Sequence, residues 1–319
     1  MDEFELIRRY FVRQGDARGV LVGIGDDGAV LSPSPGRALV SVVDTLVEGV
    51  HWPAELPPAG VGFRSVAVNV SDVAAMGGRP CWMTLALTLA DADEQWLGEF
   101  AAGLFDAAEQ YGVILVGGDV TRGSQTVVSV QVTGDVDPRH VLRRSGASAG
   151  DNLYVTGSTG DAAAGLALLR RRGQESEADR QYLIARFARP RVALDFAASI
   201  ARIASAAIDV SDGLYADAGK LLAASGAGGR IEADRVPVSD ALRRLYPEAE
   251  RLKQALSGGD DYELCFTADP AVEAEIFDAG ERHAVRVTRI GTVEDGDRLV
   301  CMRDGAEVAF ADPGYRHFA

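Results

Sequence analysis

Phe4, Ile7, Tyr10 and Phe11 recur three and four residues apart, which predicts an amphipathic helix over the first dozen residues with its apolar side packed on a domain. Residues 38–44 and 63–71 alternate or cluster β-branched side chains, a strand-like signal. In contrast, Asp91 followed by Glu94 resembles a capping box and predicts a helix ending near Tyr111. Residues 113–116 read as a short buried strand. In 126–133, Val127, Val128, Val130 and Val132 stand among polar partners, as a strand with one buried face requires.

Between Asp135 and Asp151 the pattern gives way to Pro, Gly, Ser and Arg, and the expected domains are therefore 1–137 and 138–319. A second set of elements follows. Residues 153–156 read as strand, 162–171 as helix, 190–204 as a helix begun by proline, and Ala207-Ile208-Asp209 as another strand end. Further strands are expected near 262–266, 285–290 and 298–302. Strands interleaved with helices predict an α/β (α+β) protein of two domains. Asn69-Val70-Ser71-Asp72 and Asp209-Val210-Ser211-Asp212 echo one another, either as an internal repeat presenting comparable oxygen clusters or as two independent helix caps.

With 319 residues, 47% of them hydrophobic, the chain can bury a sizeable core. Its formal charge of −15 argues against a nucleic-acid scaffold, whose affinity comes chiefly from Lys and Arg on phosphates. A nucleotide is compatible with that charge where metal ions supply the local positive field. Lys220 and Lys253 are the only lysines, which reads as compositional bias. Cys81, Cys265 and Cys301 lack C-x-x-C spacing, so a zinc site is not expected. The first residues have no apolar signal core, and no run of about 18 apolar residues offers a membrane span. The expected location is the cytoplasm.

Carboxylates punctuate the chain at Gly25-Asp26-Asp27, Asp44, Asp72, Gly117-Gly118-Asp119, Asp209-Val210-Ser211-Asp212 and Gly258-Gly259-Asp260-Asp261, with Glu263 close behind. An apolar run that breaks into Gly and Asp reads as a strand ending in a turn, where oxygen ligands become available. Taken one at a time, such motifs are ordinary Asp turns. Together they suit Mg²⁺, which takes carboxylates, water and substrate phosphates. A P-loop is absent: the nearest approach, residues 213–221, has one residue too many and Leu221 where Ser or Thr belongs, and reads instead as an amphipathic helix. Gly23-Ile24-Gly25-Asp26-Asp27-Gly28 places acids where a dinucleotide pyrophosphate would approach. Four histidines and no nucleophile elbow leave covalent catalysis without a candidate. A phosphate acceptor would need no obligatory base, because its oxygens are already mostly anionic at neutral pH.

In order along the chain, residues 23–30, 44–52, 69–78, 117–123, 143–146, 209–214, 257–264 and the ending Gly314-Tyr315-Arg316-His317-Phe318 resemble the motifs of the thiamine-monophosphate kinase family, within the aminoimidazole-ribonucleotide-synthetase-like superfamily. That resemblance implies a two-domain fold of that superfamily, with N-terminal sheets pairing in a homodimer and a C-terminal α/β domain closing the cleft. It implies ATP-dependent phosphorylation of thiamine monophosphate to thiamine diphosphate by direct transfer with several Mg²⁺ ions. The implied metal ligands are Asp27, Asp44, Asp72, Asp119, Asp209 and Asp212. Gly118, Asp119, Arg143 and Ser211 would face ATP, and His51, Asp72, Glu263 and Phe318 the thiamine substrate.

Two departures stand out. The family commonly has Ser or Thr immediately before the metal Asp, whereas Val42 and Val43 precede Asp44, so a metal there would take backbone carbonyls or water. Many members carry an aromatic where Ala101 stands, so adenine stacking is either lost or supplied by Phe100 or Phe105. The competing readings are another ATP-using enzyme of the superfamily and a Mg-nucleotide-binding module without turnover.

Overall fold

The computed structural model describes residues 3–13, 18–171, 175–310 and 314. The chain divides into two compact units, one of residues 1–73 and 78–139, the other of residues 74–77 and 140–319.

In the first unit α1 (Glu3–Tyr10) precedes β1 (Val20–Val22), β2 (Val30–Leu31) and β3 (Ala38–Val47). Then come α2 (Pro58–Ala75), β4 (Arg79–Leu89), α3 (Glu94–Tyr111), β5 (Ile114–Arg122) and β6 (Val127–Val136). The strand-like residues 63–71 lie inside α2. Phe63, Val66, Ala67, Val68, Val70 and Val73 are all buried there, and so are Arg64, Ser65, Asn69 and Ser71, so this helix is enclosed around its circumference. A Val costs a helix a few tenths of a kcal/mol. Burying it returns roughly 1.5–3 kcal/mol, so packing overrides the local preference. Gly62 and Gly103 let α2 and α3 touch backbone to backbone: a Cβ on Gly103 would collide with the Ala59 carbonyl, and one on Gly62 with that of Phe100. Asp93, rather than Asp91, caps α3, accepting the N–H groups of Gln95 (2.8 Å) and Trp96 (3.2 Å).

The four main strands run β3-β6-β4-β5, antiparallel except for the β4–β5 pair. Leu85, Leu87, Val128, Val130 and Val132 bury one face. The other carries a lattice of polar contacts. Gln131 Nε2 donates to Ser41 Oγ (2.9 Å) and Thr133 Oγ1 (2.8 Å), and hydroxyl pairs join Thr45 to Ser129 (2.8 Å) and Thr88 to Thr121 (3.0 Å).

The second unit contains β7 (Asn152–Thr156), α4 (Asp161–Arg170), α5 (Glu177–Ala188), α6 (Leu194–Ile200), β8 (Ala206–Asp209), α7 (Leu214–Ser225) and β9 (Gly228–Glu232). It continues with α8 (Asp240–Leu245), α9 (Glu248–Ser257), β10 (Leu264–Ala268), α10 (Glu273–Arg282), β11 (Val287–Glu294), β12 (Leu299–Arg303) and β13 (Ala306–Val308). The helix begun by proline is a shorter one: α6 starts at Leu194, with Pro190 outside it. Its sheet is ordered β13-β12-β9-β11-β7-β10-β8, and only β9–β12 pair in parallel. Leu153, Val155, Ile208 and Cys265 enter one core while Tyr154, Ala207, Leu264 and Phe266 enter another, so both faces are covered. Because β10 lies antiparallel between β7 and β8, the segments after β7, after β8 and before β10 emerge at one end of the sheet.

Candidate functional site

In the first unit the acids occupy three kinds of backbone. Asp26 and Asp27 are exposed between β1 and β2, where the Asp27 N–H donates to Asp26 Oδ1 (3.0 Å). Asp44 sits inside β3, Asp119 inside β5 and Asp72 in α2, so for these three the expected strand-end turn is replaced by regular structure. Burial raises the pKa of Asp44, and the Arg64 guanidinium pulls it back. Following the register, Asp44, Val130, Leu85 and Gly118 form one row, and Thr45, Ser129, Ala86 and Asp119 the next. Asp44 and Asp119 are therefore on opposite edges and opposite faces, three strand spacings or about 14 Å apart. One ion cannot take both from the same chain. Gly118 has φ 156°, and a Cβ there would collide with the Leu85 carbonyl, so the close pass of β5 against β4 requires glycine.

Strand alternation also separates the two valines. Val43 is 63% exposed on the face away from Asp44, whereas Val42 shares its face. A hydroxyl at 43 would point away from an ion on Asp44. Ala101 and Phe100 are both buried in α3, and Phe100 stacks on Trp96 at 5.0 Å, which removes it as an adenine platform. Arg13 lies over the ring of Phe105, 4.3 Å from its centroid. In the turn after β3, His51 Nδ1 accepts the Val47 N–H (3.0 Å), which makes Nε2 the donor end of the neutral ring.

The second unit builds its acids into bracing loops. Asp209, buried, ends β8, and Asp212 follows where the chain turns into α7. The buried Asp217 accepts the N–H groups of Ser211 (3.0 Å), Asp212 (2.9 Å) and Gly213 (3.1 Å) on one oxygen. Lys220 Nζ donates to its other oxygen (2.7 Å) and to Asp212 Oδ2. On the opposite flank the Asp260 N–H donates to the Ser211 carbonyl and the Tyr262 N–H to that of Val210, both at 2.8 Å. Gly314 lies against the same loop, since a Cβ on it would stand 2.6 Å from the Asp212 carbonyl oxygen. Asn69-Val70-Ser71-Asp72, wholly helical, has no counterpart to this loop, so the sequence echo is not a repeated structure.

Asp260 and Tyr262 both adopt positive φ, 72° and 53°, and between them Asp261 turns inward. Fully buried, it accepts from the N–H groups of Gly160 (2.7 Å) and Ala162 (3.2 Å), and burial pushes its pKa well up. Glu263 is also buried, with Thr156 Oγ1 at 2.6 Å on one oxygen and Arg186 Nη2 at 2.7 Å on the other. Burial raises its pKa against the pull of Arg186. Asp161 completes the group, accepting from Ser158 (2.6 Å), Tyr182 (3.1 Å) and Ser239 (2.6 Å). The Arg143 side chain is exposed, and its carbonyl accepts the Ala207 N–H (2.8 Å). Phe318 lies outside the described residues.

Asp217, Asp161 and Arg186 were not singled out from sequence, and Lys220 was read there as compositional bias. Asp217 carries a signal, an acid in the first turn of a helix that follows Ser-Asp-Gly. Arg186 carries none, because its partner is 77 residues away.

Among the described residues no three Asp, Glu, His or Cys side chains could hold a metal ion by themselves. Asp27 and Asp119 are exposed and Asp212 is partly exposed, and such carboxylate oxygens are donors of the kind Mg²⁺ takes together with water and phosphate oxygens. No described helix is long and apolar enough to cross a membrane.

Residues 25–136 match the family model of the AIR synthase related protein N-terminal domain, and 148–304 that of the C-terminal domain. The thiamine-monophosphate kinase of Salmonella typhimurium is 45% identical over 99% of this chain and 98% of its own length. The crystal structure of thiamine-monophosphate kinase from Stenotrophomonas maltophilia superposes with a TM-score of 0.85 at 39% identity, covering 96% of each chain. AaThiL complexed with AMPPCP and TMP superposes with a TM-score of 0.78 at 34% identity, covering 92% of each chain.

Proposed function

This chain belongs to the thiamine-monophosphate kinase family of AIR synthase related proteins, and from that premise we propose how its residues divide the work. It is an enzyme, a kinase that phosphorylates thiamine monophosphate to thiamine diphosphate with ATP as donor. The observation that carries this reading is identity to kinases of that name over essentially the whole length, together with a related structure complexed with AMPPCP and TMP.

The acceptor is a phosphate monoester, already anionic at neutral pH, so the protein needs to align and screen charge rather than remove a proton. Asp27, Asp44, Asp72, Asp119, Asp209 and Asp212 would hold Mg²⁺, which when bound neutralises phosphate oxygens. The separation of Asp44 from Asp119 favours more than one ion. Gly118, Asp119, Arg143 and Ser211 serve ATP, with the exposed Arg143 guanidinium suited to a phosphate fork. His51 presents Nε2–H to the acceptor phosphate, and Asp72 stands between that acceptor and metal. Glu263, its carboxylate shared by Arg186 and Thr156, would serve the thiamine substrate through that buried group, and Phe318 would add an aromatic face.

Residues 1–137 act as the ATP- and Mg-binding and dimerising domain and 138–319 as the closing α/β domain. A homodimer would use the polar face of the four-stranded sheet, on which Leu39 and Val43 are exposed. The enzyme works in the cytoplasm.

The test is formation of thiamine diphosphate from ATP, Mg²⁺ and thiamine monophosphate, resolved by chromatography. ATP binding without product at saturating substrates would replace the kinase by a nucleotide-binding module. His51→Ala should raise the KM for thiamine monophosphate about tenfold, the loss of one hydrogen bond to a charged group, and leave the KM for ATP near wild type. The reverse pattern would move His51 to the nucleotide.

A further inference from the structure

Of the two lysines in this chain, Lys220 stands where Asp212 and Asp217 meet. The two carboxylates differ in freedom. Asp217 is 1% exposed, and its Oδ2 is held by three successive backbone N–H groups, so it cannot swing. The Asp212 side chain is 33% exposed. Lys220 bridges them with one ammonium, using Oδ1 of the buried acid and Oδ2 of the partly exposed one. A compact ammonium with three donors can do this, whereas a planar guanidinium favours a bidentate grip on one partner.

We propose that Lys220 is a positioning residue that holds the Asp212 carboxylate in one orientation and weakens the affinity of that carboxylate for a divalent cation. The inference rests on Asp212 being a cation ligand, as argued above. A carboxylate shared with an ammonium carries less unopposed charge, and an ion on it would stand a few ångströms from a like charge. Affinity is thereby exchanged for geometry: phosphoryl transfer depends on alignment, and an unclamped Asp212 would hold its ion more tightly in several arrangements.

The probe is Mn²⁺ bound to the full chain at a fixed concentration of a non-hydrolysable ATP analogue, without turnover, read against the analogue alone by the loss of the free-ion signal in electron paramagnetic resonance. Lys220→Met should tighten Mn²⁺ binding about three- to tenfold at physiological ionic strength. Its kcat should fall about tenfold at saturating metal. Lys220→Gln, which stays polar and removes only the charge, should tighten binding equally. Lys220→Arg should keep Mn²⁺ affinity within about twofold of wild type, because the charge remains, and lower kcat, because a guanidinium grips one carboxylate rather than bridging two. A merely structural lysine would leave cation affinity unchanged or weaken it. Asp212→Asn separates the two claims. If that variant weakens Mn²⁺ binding while Lys220→Met and Lys220→Gln do not strengthen it, Lys220 has no such role and the metal reading survives. If Asp212→Asn leaves Mn²⁺ binding unaltered, both claims fall together.

Discussion

Asp119→Asn and Asp212→Asn should each lower kcat by about 10²- to 10³-fold at saturating ATP, thiamine monophosphate and Mg²⁺, the range seen when one group that stabilises transition-state charge is removed. The substitutions keep size and shape and delete only charge. Asp119 is exposed on an edge strand and Asp212 is partly exposed, so neither change should disturb a core. Thermal unfolding of the variants should stay close to wild type, which separates lost chemistry from lost fold. The size of the effect follows from the reaction. Two anions must approach, and no covalent intermediate or obligatory base is available to share the barrier. Neutralising the phosphates is then most of what the protein contributes. Rates within a few-fold of wild type at low Mg²⁺ would remove the two aspartates from the metal set.

What could be foreseen from sequence depended on where each residue buries. Strands β7, β8 and β10 announce themselves as short apolar runs because both faces of their sheet are covered. The same β-branched composition misleads in α2, where Phe63, Val66, Ala67, Val70 and Val73 recur at helical spacing but the density of valines reads as strand. The acids divide similarly. Asp209 and Asp212 sit at a strand end as the Gly-Asp pattern predicts, but Asp44 interrupts a ten-residue strand whose register only its neighbours determine. Val42 and Val43 look equivalent beside it until the pleat sends them to opposite faces. The bracing groups were hidden for a different reason. Asp217 looks like any acid in a first helical turn, and its three backbone contacts exist only once the loop has folded back over it.

Arg186→Met should destabilise the protein by about 3–5 kcal/mol at pH 8, the cost of removing one partner from a buried ion pair. Arg186 and Glu263 are both nearly inaccessible, and Asp161 and Asp261 are buried in the same group. Methionine fills much of the volume, so the loss is mainly of charge. The deficit should depend on pH with a definite sign. Burial raises the pKa of Glu263 and of Asp261, so between the ordinary carboxylate range and their raised values the folded protein binds more protons than the unfolded chain. Stability in that window falls as pH rises and recovers as pH falls. Arg186 lowers both pKa values, and its removal must push them higher, extending the window toward neutrality. Denaturant midpoints for Arg186→Met should therefore approach wild type as pH drops from 8 to 6. A deficit of the same size at both pH values would mean that packing, not charge, dominates. Adding Glu263→Gln separates the terms again. The amide oxygen can still accept the Thr156 hydroxyl but carries no charge, so the double variant should recover part of the lost stability at pH 8 and show a weaker pH dependence than Arg186→Met alone.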